Sequence, residues 1–396
     1  MFLTFFSKEL AHGFTRPMVY IFFVVMALLV FGAVTSEFVQ IGGAVGNVNE
    51  NSPFALANYV TTLSIFGLLI AAAFFNNAAL RDFKYGFNEI LFSTPLSKFG
   101  YYFGRFCGAL ILSCVPLCGI YFGLLFGIGV GVPAGWIQPD AVGPLNFGAY
   151  INTFLLFIFP NMLLAGAITY SLANKWRSTV ISFVGVIVVM MGYIISGTLL
   201  SDIENEVIGA LSDPFGIRTY SIETKYFTPA EKNTVSPGFS GLLLTNRLIY
   251  TGLSVVILLV SYLSFNFKTQ GGRKKKKAEQ APVVSEVFNK PEISQLFNAQ
   301  TAWGQFKSFF TVDFVSMLRS TTFVILFIFM LVLTVANLSG GFEYFGLQSY
   351  PVTYKMVDVV GAGSSLFVII ILVFFSGELV WRARESKIAE VIDATP

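Results

Sequence analysis

Charge is scarce in this chain. Of its 396 residues, 12% are Asp, Glu, Lys or Arg, about half the share of a soluble domain. That shortage excludes a disordered chain and an ordinary soluble enzyme. Cysteine is scarcer still: three residues without paired spacing exclude a disulfide scaffold. A single histidine, His12, leaves almost nothing for a His-based metal site or a Ser-His-Asp triad. The G-x-x-x-x-G-K-[ST] pattern of a phosphate-binding loop does not occur. No catalytic residue, metal site or cofactor of its own is therefore expected. What fills the chain is apolar: 55% of residues are hydrophobic and 44 are Phe. This composition predicts a polytopic membrane protein.

A helix needs about 20 mostly apolar residues to cross the ~30 Å hydrocarbon core. Eight runs qualify: Met18–Val34, Tyr59–Leu80, Phe106–Val130, Ile151–Leu172, Thr179–Leu200, Leu248–Phe267, Thr322–Leu338 and Gly361–Val380. They are continuous rather than alternating, which excludes barrel strands. The expected fold is an all-α polytopic membrane protein with about eight transmembrane helices. Lys and Arg set its orientation. With the N-terminus inside, only Arg218, Lys225, Lys232, Lys355 and, at a membrane edge, Arg247 lie outside. Both termini are then cytoplasmic. The formal net charge of +3 reflects orientation and gives no support to a nucleic-acid partner.

Residues 268–305 break the apolar pattern with Gly271, Gly272, Arg273 and the run Lys274 to Lys277, then continue polar through Pro282 and Pro291. This reads as a basic cytoplasmic linker whose lysine run is a topology anchor, with attraction to anionic lipid as the second reading. Beyond the linker, the opening of the chain is repeated. Phe2, Phe5, Phe6, Ile21 and Phe23 match Phe306, Phe309, Phe310, Ile325 and Phe327 at one constant offset. Leu63–Pro95 lies over Ser364–Pro396 without a gap, pairing Arg81 with Arg382, Glu89 with Glu390 and Pro95 with Pro396. The organisation is then a six-span unit (1–267), the linker, and the first two spans of a second unit (306–396). A half-unit ending there is expected to belong to a longer chain; a naturally shortened protein is the alternative.

Phe2, Phe5, Phe6, Leu10 and Phe14 recur near the helical period, with Lys8 and Glu9 off the stripe. This predicts an amphipathic helix in the membrane surface, ended by Pro17 and repeated by Phe306, Phe309 and Phe310. It is an anchor or an elbow coupling cytoplasmic motion to the bundle. In the polar stretch Arg81–Arg105, Phe83, Phe87, Ile90 and Leu91 fall on one face of a short helix broken by Pro95, with Glu89 on another face. Ile388, Val391 and Ile392 repeat that face, and Glu390 repeats Glu89. A projecting helix of this kind suits docking into a groove on a soluble partner; packing against its own bundle is the alternative.

No ionisable residue lies near the centre of any span, which argues against an ion-coupled carrier. Gly127, Gly129 and Gly131 read as helix packing or a bend, and Cys114 and Cys118 as small buried side chains. Pro160 predicts a kink, with Asn161 free to bond a released carbonyl or a neighbour. The long outer segment Ser201–Thr245 holds Asp213-Pro214-Phe215-Gly216 and a helix start with Thr228 as N-cap, Pro229 at the first position and Glu231 at the third.

Gly86, Glu89, Leu91, Ser93-Thr94-Pro95, Lys98 and Gly104-Arg105 resemble the cytoplasmic loop motif of ABC-2 type transporter permeases. The stretches Asp213–Gly216, Tyr226–Thr234 and Leu242–Tyr250 look more specifically like bacterial permeases whose chain continues into an M1-type zinc aminopeptidase. The peptidase's H-E-x-x-H signature is absent here, since His12 is the only histidine. The resemblance implies one six-helix ABC-2 unit plus the start of another, in the bacterial cytoplasmic (inner) membrane, acting as the permease of an ATP-driven exporter. It implies a dimer of separate cytoplasmic ATPase subunits that binds ATP and Mg, with membrane lipid and a second permease half or a second copy as further partners. Docking would use Arg81, Phe87, Glu89, Ile90, Leu91 and Pro95, and in the second copy Arg382, Ile388, Glu390, Val391, Ile392 and Pro396. The alternatives are an anchor and regulator for a peptidase, and a secondary carrier or channel.

Overall fold

The computed structural model describes residues 1–36, 47–177, 179–200, 206–267 and 299–320, with scattered positions between 323 and 379. Contacts divide the chain into two units, Met1–Arg273 and Lys274–Pro396.

The first unit is a helical bundle. Among the described residues, five helices are long and apolar enough to cross a membrane: α2 (Pro17–Thr35), α3 (Pro53–Lys84), α5 (Lys98–Gly131), the rod of α6 (Phe147–Thr153) and α7 (Phe159–Trp176), and α12 (Gly241–Ser264). A further helix, α8 (Thr179–Leu200), is 22 residues long and carries no charge. The chain is thus a helical, multi-pass membrane protein. At 1.5 Å per residue, the 34 residues of α5 reach about 51 Å, well beyond a ~30 Å hydrocarbon core. Its ends and those of α3 therefore project and can carry polar chemistry.

Local sequence fixes where these helices begin. The Ser52 hydroxyl accepts from the Ala55 amide at 3.1 Å, with Pro53 at the first helical position of α3. The Ser97 hydroxyl accepts from Gly100 at 3.2 Å and opens α5. The expected kink in the fourth run takes the form of a π-helical turn over Phe154–Ile158, just before Pro160. The wider turn accommodates the proline, which has no amide to donate.

α5 is the spine of the unit. Gly119, Gly123, Gly127 and Gly131 lie at four-residue spacing against Phe23, Ala27, Phe31 and Thr35 of α2. A Cβ at Gly119 or Gly123 would collide with the Phe23 or Ala27 carbonyl. Gly129 meets nothing, so the helix-packing reading holds for Gly127 and Gly131 alone. Further back, Gly100, Gly104 and Gly108 face Phe2, Phe5 and Glu9 of α1 (Phe2–Phe14). Residue numbers on both sides of these contacts rise together, so α1 and α2 run parallel to α5, one after the other. The apolar stripe leaves Glu9 off its face. In the structure α1 lies lengthwise on α5, and Glu9 is enclosed at 3% exposure. The bare glycine ridge admits the α1 backbone, and Arg81 supplies the counter-charge.

From α2 onward the long helices alternate in direction and give the unit two ends. One holds Met1, the α3–α5 connection, Arg177 and Phe265–Phe267. The other holds 47–52, 132–146 and 206–240, including the short helices α9 (Glu206–Leu211) and α10 (Ile217–Glu223). Asparagines stitch that second end together. The Asn51 side chain pairs with the Gly143 backbone at 2.7 and 2.8 Å. Asn233 accepts from the Asn49 amide at 2.8 Å, and Asn152 donates to the Pro237 carbonyl at 2.9 Å.

In the second unit, α13 (Ala299–Leu318) carries a ladder of stacked rings: Trp303 on Phe306, Phe306 on Phe310, Phe310 on Phe314. The hairpin β1 (Glu343–Tyr344) and β2 (Leu347–Gln348) pairs antiparallel. The runs Thr322–Leu338 and Gly361–Val380 are described only at scattered positions. Arg382, Ile388, Glu390, Val391, Ile392 and Pro396, and nearly all of the linker 268–305, lie outside the described residues.

Candidate functional site

The periodicity after Arg81 predicts one short helix carrying Phe83, Phe87, Ile90 and Leu91. The structure divides it. α3 continues to Lys84, and Gly86 then adopts φ 67°. The Phe87 amide donates to the Asp82 carbonyl at 2.9 Å and the Gly86 amide to Phe83 at 3.3 Å. This is the double-bonded helix ending that a glycine permits. A five-residue helix, α4 (Asn88–Phe92), comes next. Phe83 therefore belongs to α3. The side chains turned outward are Tyr85, Phe87, Glu89 and Ile90, with Phe87 50% and Ile90 64% exposed. Leu91 is half-buried against the core, and Pro95 is exposed in the loop beyond.

α4 is rooted by a residue that no sequence pattern marks. Phe92 packs against Phe83, Tyr101 and Phe267, at ring separations of 5.8, 5.6 and 5.0 Å. Two ion pairs lie beneath it. Arg81 donates through both terminal nitrogens to Glu9, at 3.2 and 2.7 Å, tying α3 to α1. Arg105 reaches Asp82 at 2.6 Å and donates to the Ala78 carbonyl at 3.0 Å, tying α5 to α3. The Tyr101 hydroxyl donates to the same carboxylate at 3.0 Å. Asp82 and Arg105 are 5% and 6% exposed, and nothing in their sequence spacing marks them as ion-pair partners. Arg81 is committed to Glu9, so it positions the segment rather than presenting a free charge. The result is a short apolar-tipped helix on a rigid polar base. The base beneath α4 thus joins α1, α3 and α5.

The opposite end holds a second polar centre built from the outer-loop residues. Asp213 is fully buried. Its two oxygens accept from the Phe215 amide at 2.9 Å and the Arg218 amide at 2.7 Å. Burial pushes its carboxyl upward, and those amide bonds oppose the shift. Pro214 gives its carbonyl to Arg247. Arg247, 3% exposed, donates to Asn161 at 2.8 Å and to Asn246. Asn161 in turn donates to Ser64 at 3.0 Å and to the Phe215 carbonyl at 3.3 Å. Gly216, at φ 76°, leaves room for the Arg247 guanidinium. The segment around Asp213 is thus pinned to α3, α7 and α12.

Thr228, Pro229 and Glu231 open α11 (Pro229–Thr234) as their order predicts: Thr228 and Glu231 cap each other's backbone amides. Phe2, Phe5 and Phe6 line the half-buried face of α1, with Phe5 edge-on to Tyr101 at 5.3 Å. Phe306, Phe309 and Phe310 are exposed along α13. Among the described residues, no group of three or more His, Cys, Asp or Glu could hold a metal ion. No protein-family model matches the chain, and comparison with curated proteins and with solved structures gives no match.

Proposed function

We propose that this chain is the membrane-spanning permease of an ATP-driven transporter of the ABC-2 type, an exporter worked by a separate cytoplasmic ATPase dimer. The observation that carries the reading is α4. Phe87 and Ile90 stand exposed at the end of a bundle, beside Glu89, on a helix fixed by Phe92 and two ion pairs. Leaving such apolar area in water is unfavourable by about 25 cal/mol per Å², and a partner's groove would cover it. Lys8, Arg16, Arg81, Lys84, Lys98, Arg105, Lys175 and Arg177 cluster at this end, which favours a cytoplasmic position. The chain has no phosphate-binding loop, so ATP and Mg belong to the partner. Closure of the ATPase dimer would push α4, and the rigid base would pass that motion to α1, α3 and α5.

The test is recovery of the ATPase with the detergent-solubilised chain. Glu89→Lys and Ile90→Asp abolish recovery while leaving membrane insertion intact. ATPase recovery equal to that of the unaltered chain in both variants would refute the proposal. Ile90 is a cleaner probe than Leu91, because Leu91 also packs against the bundle.

A further inference from the structure

Beside α4, between α1, α3 and α5, lies a cavity of about 150 Å³ lined by Phe5, Lys8, Glu9, Arg81, Phe87, Leu91 and Arg105. A single water needs roughly 15 Å³ of such space, so the cavity admits a polyatomic group. Its charges do not balance. Both Glu9 oxygens are taken by Arg81, and Asp82, behind the wall, is taken by Arg105 and Tyr101. Lys8 is left without an ion-pair partner among the described residues. Arg105 is 6% exposed, and its Nε–H is a buried donor with no hydrogen-bond partner. The pocket therefore combines the unpaired Lys8 ammonium with an apolar wall of Phe5, Phe87 and Leu91, while Arg105, its terminal nitrogens held by Asp82 and the Ala78 carbonyl, adds positive charge to the lining.

We infer that this pocket binds the phosphate of an anionic phospholipid headgroup. The lysine ammonium suits phosphate oxygens, while the Phe and Leu wall suits the start of an acyl chain. The position fits as well: α1 and α4 flank the stretch where α3 and α5 outrun the hydrocarbon thickness. Bound lipid would then sit directly under the α4 segment. The inference does not require an ATPase.

The experiment uses the full chain in detergent, with Lys274, Lys275, Lys276 and Lys277 each changed to Gln so that the linker does not hold acidic lipid. Native mass spectrometry compares phosphatidylglycerol with phosphatidylcholine of the same acyl chains. The expected preference for phosphatidylglycerol is about tenfold. Lys8→Gln removes most of that preference without changing the melting temperature, and Lys8→Arg retains it. Inorganic phosphate is titrated in parallel. Displacement of the lipid at millimolar phosphate keeps the phosphate site but assigns it to the free anion; no displacement assigns it to lipid. Equal retention of the two lipids overturns the inference, and is the result expected if the pocket instead takes an acidic side chain of a soluble partner. An unchanged preference in Lys8→Gln also overturns it.

Discussion

Arg105 and Asp82 form the most enclosed ion pair among the described residues, and removing one member exposes the cost of burying the other alone. Arg105→Met should destabilise the protein by about 3–5 kcal/mol, read as a fall in thermal midpoint in detergent. The double variant Asp82→Leu with Arg105→Met should recover much of that loss, because no isolated charge remains. A double variant as unstable as the single would show that packing, not charge, dominates the site. His12 provides a milder probe on the adjoining helix. Burial, and then the Arg81 and Arg16 cations, hold its pKa below the ordinary 6.5. The neutral form is thus favoured when α1 is docked. Its contribution is fully present above pH 6.5 and is lost as pH falls through the lowered folded-state value. Between pH 7.5 and 5.5 the thermal midpoint should drop, and His12→Gln should flatten that slope.

Much at this scale is not legible in sequence. Glu9 falls off the apolar stripe, and a helical period shows only which residues share a face. It cannot show that Arg81, far along the chain, sits opposite one of them. Asp213 and Arg247 are likewise separate features until α12 folds back on the outer segment. By contrast Thr228, Pro229 and Glu231 are legible at once, since a capping box is complete within four residues.

Among the helices, α5 makes the sharpest predictions. Gly123→Ala must push α2 away, because its new Cβ would collide with the Ala27 carbonyl. A cost of about 1–3 kcal/mol is expected. Gly129→Ala meets nothing within 4 Å and should be neutral or stabilising by up to about 1 kcal/mol. Thermal unfolding of the two variants compares them directly, and equal stability would contradict the packing described. Apolar runs mark these elements well; α8 matches its predicted bounds. The helix ends are less legible. Gly86 stands out in sequence only as part of a motif, and its positive φ, which ends α3 and frees α4, depends on the backbone bonds formed around it. The four-residue glycine spacing is visible only in part, because Gly100 and Gly104 lie before the apolar run Phe106–Val130 begins.

The first unit has two ends of different character. One end is basic, carries α4 and rests on ion pairs; the other is closed by asparagine contacts and the Asp213–Arg247 centre. Between them lie helices whose central side chains are uncharged, and on the proposed function energy enters at an end. The proposed function places that entry at α4, on the cytoplasmic side. The most direct measurement is thiol labelling from each side of the membrane. In a background with Cys107, Cys114 and Cys118 replaced by Ser, single cysteines are placed at Ile90 and at Tyr226, which is 85% exposed at the opposite end. A membrane-impermeant maleimide should label Tyr226→Cys in intact cells and Ile90→Cys only after the membrane is opened. Labelling of Ile90→Cys in intact cells would put α4 outside, beyond reach of any cytoplasmic ATPase, and would contradict the account.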